Sequence, residues 1–327
     1  MSIVNSPSLN RSRPTSLPVP AVILGLAAII YFGAAIMTGQ LSQLTFEGLA
    51  GLLQRTVALG IVALGQTFTI LVGSIDLSVA ALISLVAVLA GYIMQGDPGM
   101  IAPAIFLCMV VSFVVGAING LLVAYWGINP LIATLGSGLI IQGGLSAGFT
   151  HMGGSVAPRF QAFAYSGLLG VPYSVLMFAA LTLGGWFVLT KTRFGANLYA
   201  VGGNPDGARL VGLRTERFVL SAHIFASLAA GIAGLYLAAR LQSGTPWIGR
   251  DGIYDLESIA TVVIGGTILA GGKGGVVGTA AGVLLFASLD ASFNMFGVDA
   301  FLKQVLRGGI VITAVGVYAV RNRGHVA

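Results

Sequence analysis

The sequence predicts an all-α, polytopic membrane protein of about ten transmembrane helices with both termini in the cytoplasm. Two features of composition carry that class. Of 327 residues, 56% are hydrophobic and only 8% charged, against roughly 25% charged in ordinary soluble domains. Glycine is also abundant, at 48 residues, without the every-third-residue period of collagen. Such a chain lacks the polar residues to wet two soluble domains or to remain disordered. Its one cysteine, Cys108, lies inside an apolar run, which excludes an internal disulfide scaffold. A net charge of +6 invites a nucleic-acid reading. The basic residues, however, gather in a few loops without interleaved aromatics, so no nucleic-acid partner is expected.

A helix needs about 20 mostly apolar residues to cross the hydrocarbon core. Residues 1–18 form a polar, Pro/Ser-rich tail, and Val19 to Gly39 make the first span. That run exceeds a signal-peptide core and has no clear small-residue cleavage site, so it reads as a retained helix. Arg55, Asp76 and Asp97 bracket the second and third spans. Pro98 to Pro158 carries no formal charge and holds two helices, broken near Trp126-Gly127-Ile128-Asn129-Pro130. Further spans run over 172–190 and 218–239. The apolar stretches 256–270, 276–293 and 300–320 complete the ten; Glu257, Asp290, Lys303 and Arg307 interrupt them. The membrane domain is thus 19–320, with a cytoplasmic loop over 191–217 and a short tail over 321–327.

Charge placement sets the orientation. With the tail inside, Arg11, Arg13, Lys191, Arg193, Arg209, Arg214, Arg217, Lys273, Arg321 and Arg323 are cytoplasmic, against Arg159, Arg240 and Arg250 outside. That asymmetry follows the positive-inside rule. Gly274, Gly278 and Gly282, like Gly116 and Gly120, recur every fourth residue, a spacing that lets helix backbones approach closely in lipid. The stretches 65–79 and 265–278 each place a polar, glycine-rich break between apolar runs, a faint internal echo of the kind transporters carry.

The motifs exclude most chemistry. Gly271-Gly272-Lys273-Gly274-Gly275 is no phosphate loop, because Thr267 replaces its first glycine and Gly274 its Ser/Thr. His151, His223 and His325 lack ligand spacing, so no metal is expected, and His223 reads as a satisfied core histidine. No nucleophile elbow and no paired acids suggest an enzyme. Asn129-Pro130 and Asn204-Pro205 could suggest paired pore loops, but the second pair lies in the most charged loop. Asp76, beside a glycine break, reads first as a cap for the following helix and second as a pathway residue.

With these residues in place, Gly73-Ser74-Ile75-Asp76-Leu77-Ser78-Val79 resembles the Gly-Gly-Ile-Asp-Leu-Ser-Val-Gly signature of the ribose-type (ribose/xylose/galactose-like) sugar permeases of ABC importers. Gly116-Ala117-Ile118-Asn119-Gly120, Asn129 to Gly136, Phe194 to Pro205 and Val263 to Gly274 resemble further blocks of that family, in its order. Ser74 and Ala80 depart from its glycines, and Gly207 and Val211 from its Ala and Ser.

The resemblance implies a non-enzymatic subunit in a prokaryotic cytoplasmic (inner) membrane. It would pair with a second permease copy or close paralogue. Cytoplasmic ATPase subunits would hold ATP and Mg, leaving no cofactor in this chain, and an extracytoplasmic sugar-binding protein would deliver a monosaccharide or similar polar solute. The runner-up is an ion-coupled secondary transporter with Asp76 or Asp290 as proton carrier.

Three sets of residues follow. Residues 203–213 are expected to form a coupling helix for the ATPase: Asn204 as N-cap, Pro205 at its first position, Asp206 at its positive end and Gly212 closing it after Gly203 opens the stretch. Ala208 and Val211 would face the partner and Arg209 would reach for a carboxylate. Gln66, Asp76, Asn119 and Thr134 are expected along the translocation pathway. Arg159, Trp247, Arg250, Asp251 and Asp255, on outer loops 149–171 and 241–256, are expected to dock the binding protein.

Overall fold

The computed structural model describes residues 19–149 and 153–322. The two tails, His151 and His325 lie outside the described residues. Each of the ten apolar segments coincides with a helix: α1 (Val19–Met37), α2 (Phe46–Leu71), α3 (Val79–Met94), α4 (Ile101–Ala124), α5 (Pro130–Gly148), α7 (Tyr173–Lys191), α10 (Thr215–Leu241), α12 (Tyr254–Ile264), α13 (Val276–Met295) and α14 (Ala300–Asn322). Four short helices join them: α6 (Pro158–Tyr165), α8 (Arg193–Gly203), α9 (Pro205–Leu210) and α11 (Ile248–Asp251). A two-residue hairpin, Gly167–Leu168 with Val171–Pro172, is the sheet among the described residues.

Among the described residues, seven helices have the length and hydropathy of a membrane span: α1, α2, α4 with its preceding turn, α5, α7, α10 and α13. At 16 residues α3 is shorter, and α12 has 11. Large apolar side chains such as Ile29, Phe106 and Leu183 stand open on the outer surface. In water such a belt would be an association hazard, whereas in lipid it is the required exterior.

The bundle is organised around α10, which packs on α4, α2 and α3. Small residues explain the close α4–α10 contact. A Cβ on Gly116 would lie 2.8 Å from the His223 carbonyl oxygen, and one on Gly120 would lie 2.7 Å from Leu220. Likewise Gly278 and Gly282 of α13 seat α12 through Gly265 and Thr261. Val57, Ile61, Leu82, Val86, Ala230 and Tyr236 form the centre of the main core. α1 packs along α13.

Helix ends follow local chemistry. Asn129 accepts the Leu131 N–H (2.9 Å) and Pro130 takes the first position of α5. At the end of α2, Gly73 (φ +75°) donates to Ile70 O and Ser74 donates to Thr69 O (both 2.9 Å). That pair of bonds is a Schellman closure, and it needs a residue at ease in the left-handed region.

Candidate functional site

The first polar centre is the break between α2 and α3. Asp76 is fully buried and accepts the Ser78 N–H (2.9 Å) and hydroxyl (2.6 Å) at Oδ1, so it fixes the N-cap residue of α3 without reaching the N–H groups of the helix's first turn. Its Oδ2 lies 3.4 Å from His223 Nδ1 on α10, and His223 Nε2 is 2.8 Å from Ser74 Oγ. His223 is therefore satisfied, but by a partner 147 residues distant. Ser74, His223 and Asp76 stand in the order of a hydrolase triad. All three are buried, so Ser74 presents no face to a substrate.

The network continues outward from the break. Asn119 Nδ2 donates to Ser78 Oγ (2.9 Å), and Ser137 donates to Asn119 Oδ1. Thr134 Oγ1 accepts the Leu77 N–H (3.0 Å) and donates to Pro130 O (2.8 Å). Thr69 donates to Gln66 Oε1 (3.4 Å), while Gln66 Nε2 has no partner among the described residues. Gln66, Asp76, Asn119 and Thr134 are all 0% exposed. Asp76, Asn119 and Thr134 thus join the α2–α3 break to α10, α4 and α5, Gln66 bonds only within α2, and none of the four is exposed in this structure. Polar groups without water find one another.

The second centre corrects the outer-loop reading of 241–256. Instead of looping outward, the chain after α10 runs back along α3. Gly244 packs against Ala87 and Val88, and its N–H pairs with Gly153 O (3.1 Å). Gly249 then sits against Ala80 and donates to Ser84 Oγ (3.0 Å). From Ser84 to Met94, the end of α3, is about 15 Å at 1.5 Å per residue, half the hydrocarbon thickness. Arg250 and Asp251, paired at 3.5 Å, and Asp255 therefore lie at membrane depth. Trp247 is half-buried on the same segment. Arg159 alone of the expected docking set is exposed on an outer element, α6.

The third centre is the basic end of the bundle. Asn204 Oδ1 accepts the Gly207 N–H (2.9 Å), and Pro205 occupies the first position of α9. Gly212 (φ +84°) donates to Arg209 O (2.9 Å) and Leu213 to Ala208 O (3.0 Å), a second Schellman closure. The helix was legible, but its faces were not. Ala208 is buried within the chain, whereas Val211 has already left the helix and is 77% exposed, beside Leu210 at 89%. Arg209 turns back to Asp206 (3.4 Å), Glu216 (3.6 Å) and Thr215 (3.0 Å) rather than outward. Behind α9, Tyr199 donates to Gly274 O (2.8 Å), and burial pushes its pKa up, keeping it a neutral donor.

A fourth cluster joins α2, α12, α13 and α14. Arg307 pairs with Glu257 (3.2 Å) and with Asp290, whose other oxygen lies 3.5 Å from Arg55. No group of three His, Cys, Asp or Glu side chains among the described residues could hold a metal ion.

Comparison with known proteins adds relatives along nearly the whole chain. Residues 48–315 match the family model described as branched-chain amino acid transport system / permease component. The ribose import permease protein of Escherichia coli (strain K12) is 32% identical over 299 residues, covering 89% of this chain and 91% of its own. Its counterpart in Bacillus subtilis (strain 168) is 36% identical over 270 residues, covering 81% and 82%. The xylose transport system permease protein of E. coli (strain K12) is 30% identical, covering 96% and 95%. No solved structure gives a significant match.

Proposed function

The chain belongs to the family of branched-chain amino acid transport system permease components, multi-pass proteins of the bacterial inner membrane, and from that premise we propose that it is the membrane passage of an ATP-driven sugar importer. The observation that carries the cargo class is the end-to-end similarity to permeases named for ribose and xylose, at 89% and 96% of this chain. The family description speaks of amino acids, but the individual relatives speak of sugars, and the latter are the more specific guide.

The partners follow from the division of labour. A permease of this kind works with cytoplasmic ATPase subunits, which carry the ATP and Mg, and with an external sugar-binding protein. A second copy of the permease, or a close paralogue, completes the passage. The basic end bearing α8 and α9 faces the cytoplasm. There, the exposed Leu210 and Val211 supply apolar bulk for an ATPase cleft, supported by the N-cap, the Schellman closure and the inward-turned Arg209.

Purified permease, reconstituted with its ATPase and binding protein in vesicles lacking any ion gradient, is expected to accumulate radiolabelled ribose, xylose or galactose only with internal cofactor-loaded ATPase and ATP. Uptake driven by an imposed proton or sodium gradient, without ATP, would select the ion-coupled alternative.

A further inference from the structure

We propose that the returning segment 244–256 and the facing turns of α3 and α5 form the solute-contacting wall of the passage, with Arg250, Asp255 and Gln142 as the groups that hold a sugar in transit. This inference rests on the sugar-import reading above.

Irregular backbone at membrane depth is tolerated only where protein buries it or where it lines a water-filled space. Residues 242–247 are non-helical beside the middle of α3, and Gly244, Thr245 and Pro246 are buried there. From Arg250 onward the chain opens. The side chains of Arg250 and Asp251 are 66% and 56% exposed. A charged residue at the centre of a membrane helix costs at least about 2.5 kcal/mol on insertion scales, so two of them do not face lipid. Their exposure at this depth is exposure to water.

A cavity of about 300 Å³ lies beside them. Ala80 and Gly138 give it small-residue walls, Leu77 and Leu139 apolar ones, and Gln142, Arg250 and Asp255 its polar groups. The chemistry fits a polyol. A guanidinium donates through a planar fork to neighbouring hydroxyl oxygens, a carboxylate accepts hydroxyl protons, and an amide does both. Apolar side chains between them suit the C–H faces of a pyranose or furanose ring. The groups also retain water, so the hold is weak, as a passage requires. Asp76, Asn119 and Thr134 are unsuited to this task because the chain already occupies most of their bonding groups, and Gln66, like them, is fully buried away from this cavity.

The test uses the complete transporter in proteoliposomes, with single cysteines at Arg250→Cys and Gln142→Cys. Native Cys108 is fully buried and sets the background. Ile29→Cys, 72% exposed on the outer face of α1, is the lipid-facing control. A charged, membrane-impermeant thiol reagent should modify positions 250 and 142 at least about tenfold faster than position 29, since water reaches only the former. In parallel, Arg250→Met, Asp255→Asn and Gln142→Leu should each lower ATP-driven ribose uptake about tenfold, the loss of a hydrogen bond to a charged or amide group.

Labelling as slow as at position 29, or spontaneous Arg250→Cys cross-linking between permease copies without labelling, would overturn the wall assignment. Full uptake in all three polar variants would do the same. If the cysteines label but the wild type moves none of ribose, xylose or galactose, the wall stands and the sugar reading falls.

Discussion

Asp76 serves Ser78 with one carboxylate oxygen and faces His223 with the other, so its removal strands several buried groups at once. An unsatisfied buried donor or acceptor costs about 1–3 kcal/mol. Asp76→Ala should therefore lower the thermal unfolding midpoint in detergent clearly. Asp76→Asn should lower it less, because the amide oxygen can still accept from Ser78, and Ser74→Ala should have the smallest effect of the three. Equal midpoints for Asp76→Ala and wild type would show that the carboxylate has no structural role. The local half of this centre, Asp76 bonded to Ser78 ahead of α3, was legible, since an acid after a glycine break and before an apolar run has local meaning. The histidine half was not. His223 and Asp76 meet because α2, whose end leads into Asp76, packs closely on α10 where Gly65 meets Ala226, and no spacing along one chain encodes that.

At the scale of elements, α9 is the plainest case of local rules sufficing. Its cap, its proline and its closing glycine all lie within nine residues, from Asn204 to Gly212. Asn204→Ala should cost about 1 kcal/mol of local stability, as lost N-caps do. Leu210→Asp or Val211→Asp should leave the unfolding midpoint unchanged yet abolish co-purification with the ATPase or its stimulated hydrolysis. Normal coupling in both variants would remove α9 as the contact. Ala208→Glu is a poor probe, because Ala208 is buried and a charge there would unfold the turn. The segment 241–256 shows the opposite limit. Its charges mark a loop by composition, and only packing of Gly244 and Gly249 against α3 reveals that it turns inward.

Across the whole molecule, the ten apolar stretches all became helices because hydrophobicity over about 20 residues is a strong, additive signal. Their arrangement was hidden, since it depends on contacts between distant segments. The cluster of Arg55, Glu257, Asp290 and Arg307 is the main example, tying α2, α12, α13 and α14. Arg307→Met would leave the buried Glu257 without its partner. A loss of about 2 kcal/mol is expected, below the 3–5 kcal/mol of fully buried pairs because the Arg307 side chain keeps 26% of its surface. Adding Glu257→Gln should restore part of that loss. A double variant as unstable as the sum of its singles would show that the two residues do not interact.

Near the α8–α9 turn, three stretches of chain meet with no side chains between them. A Cβ on Gly202 would lie 1.7 Å from the Leu71 carbonyl oxygen, and that same oxygen accepts the Gly272 N–H at 2.9 Å. Side chains act as springs, and here the springs are missing. Motion imposed on α9 is expected to pass through α8 to the last turn of α2, and Leu71 is five residues from Asp76. If α9 is pushed, such a junction should act as a geared joint, delivering the amplitude that enters from the basic end to the root of α3. Gly202→Val would fit a wedge between the teeth.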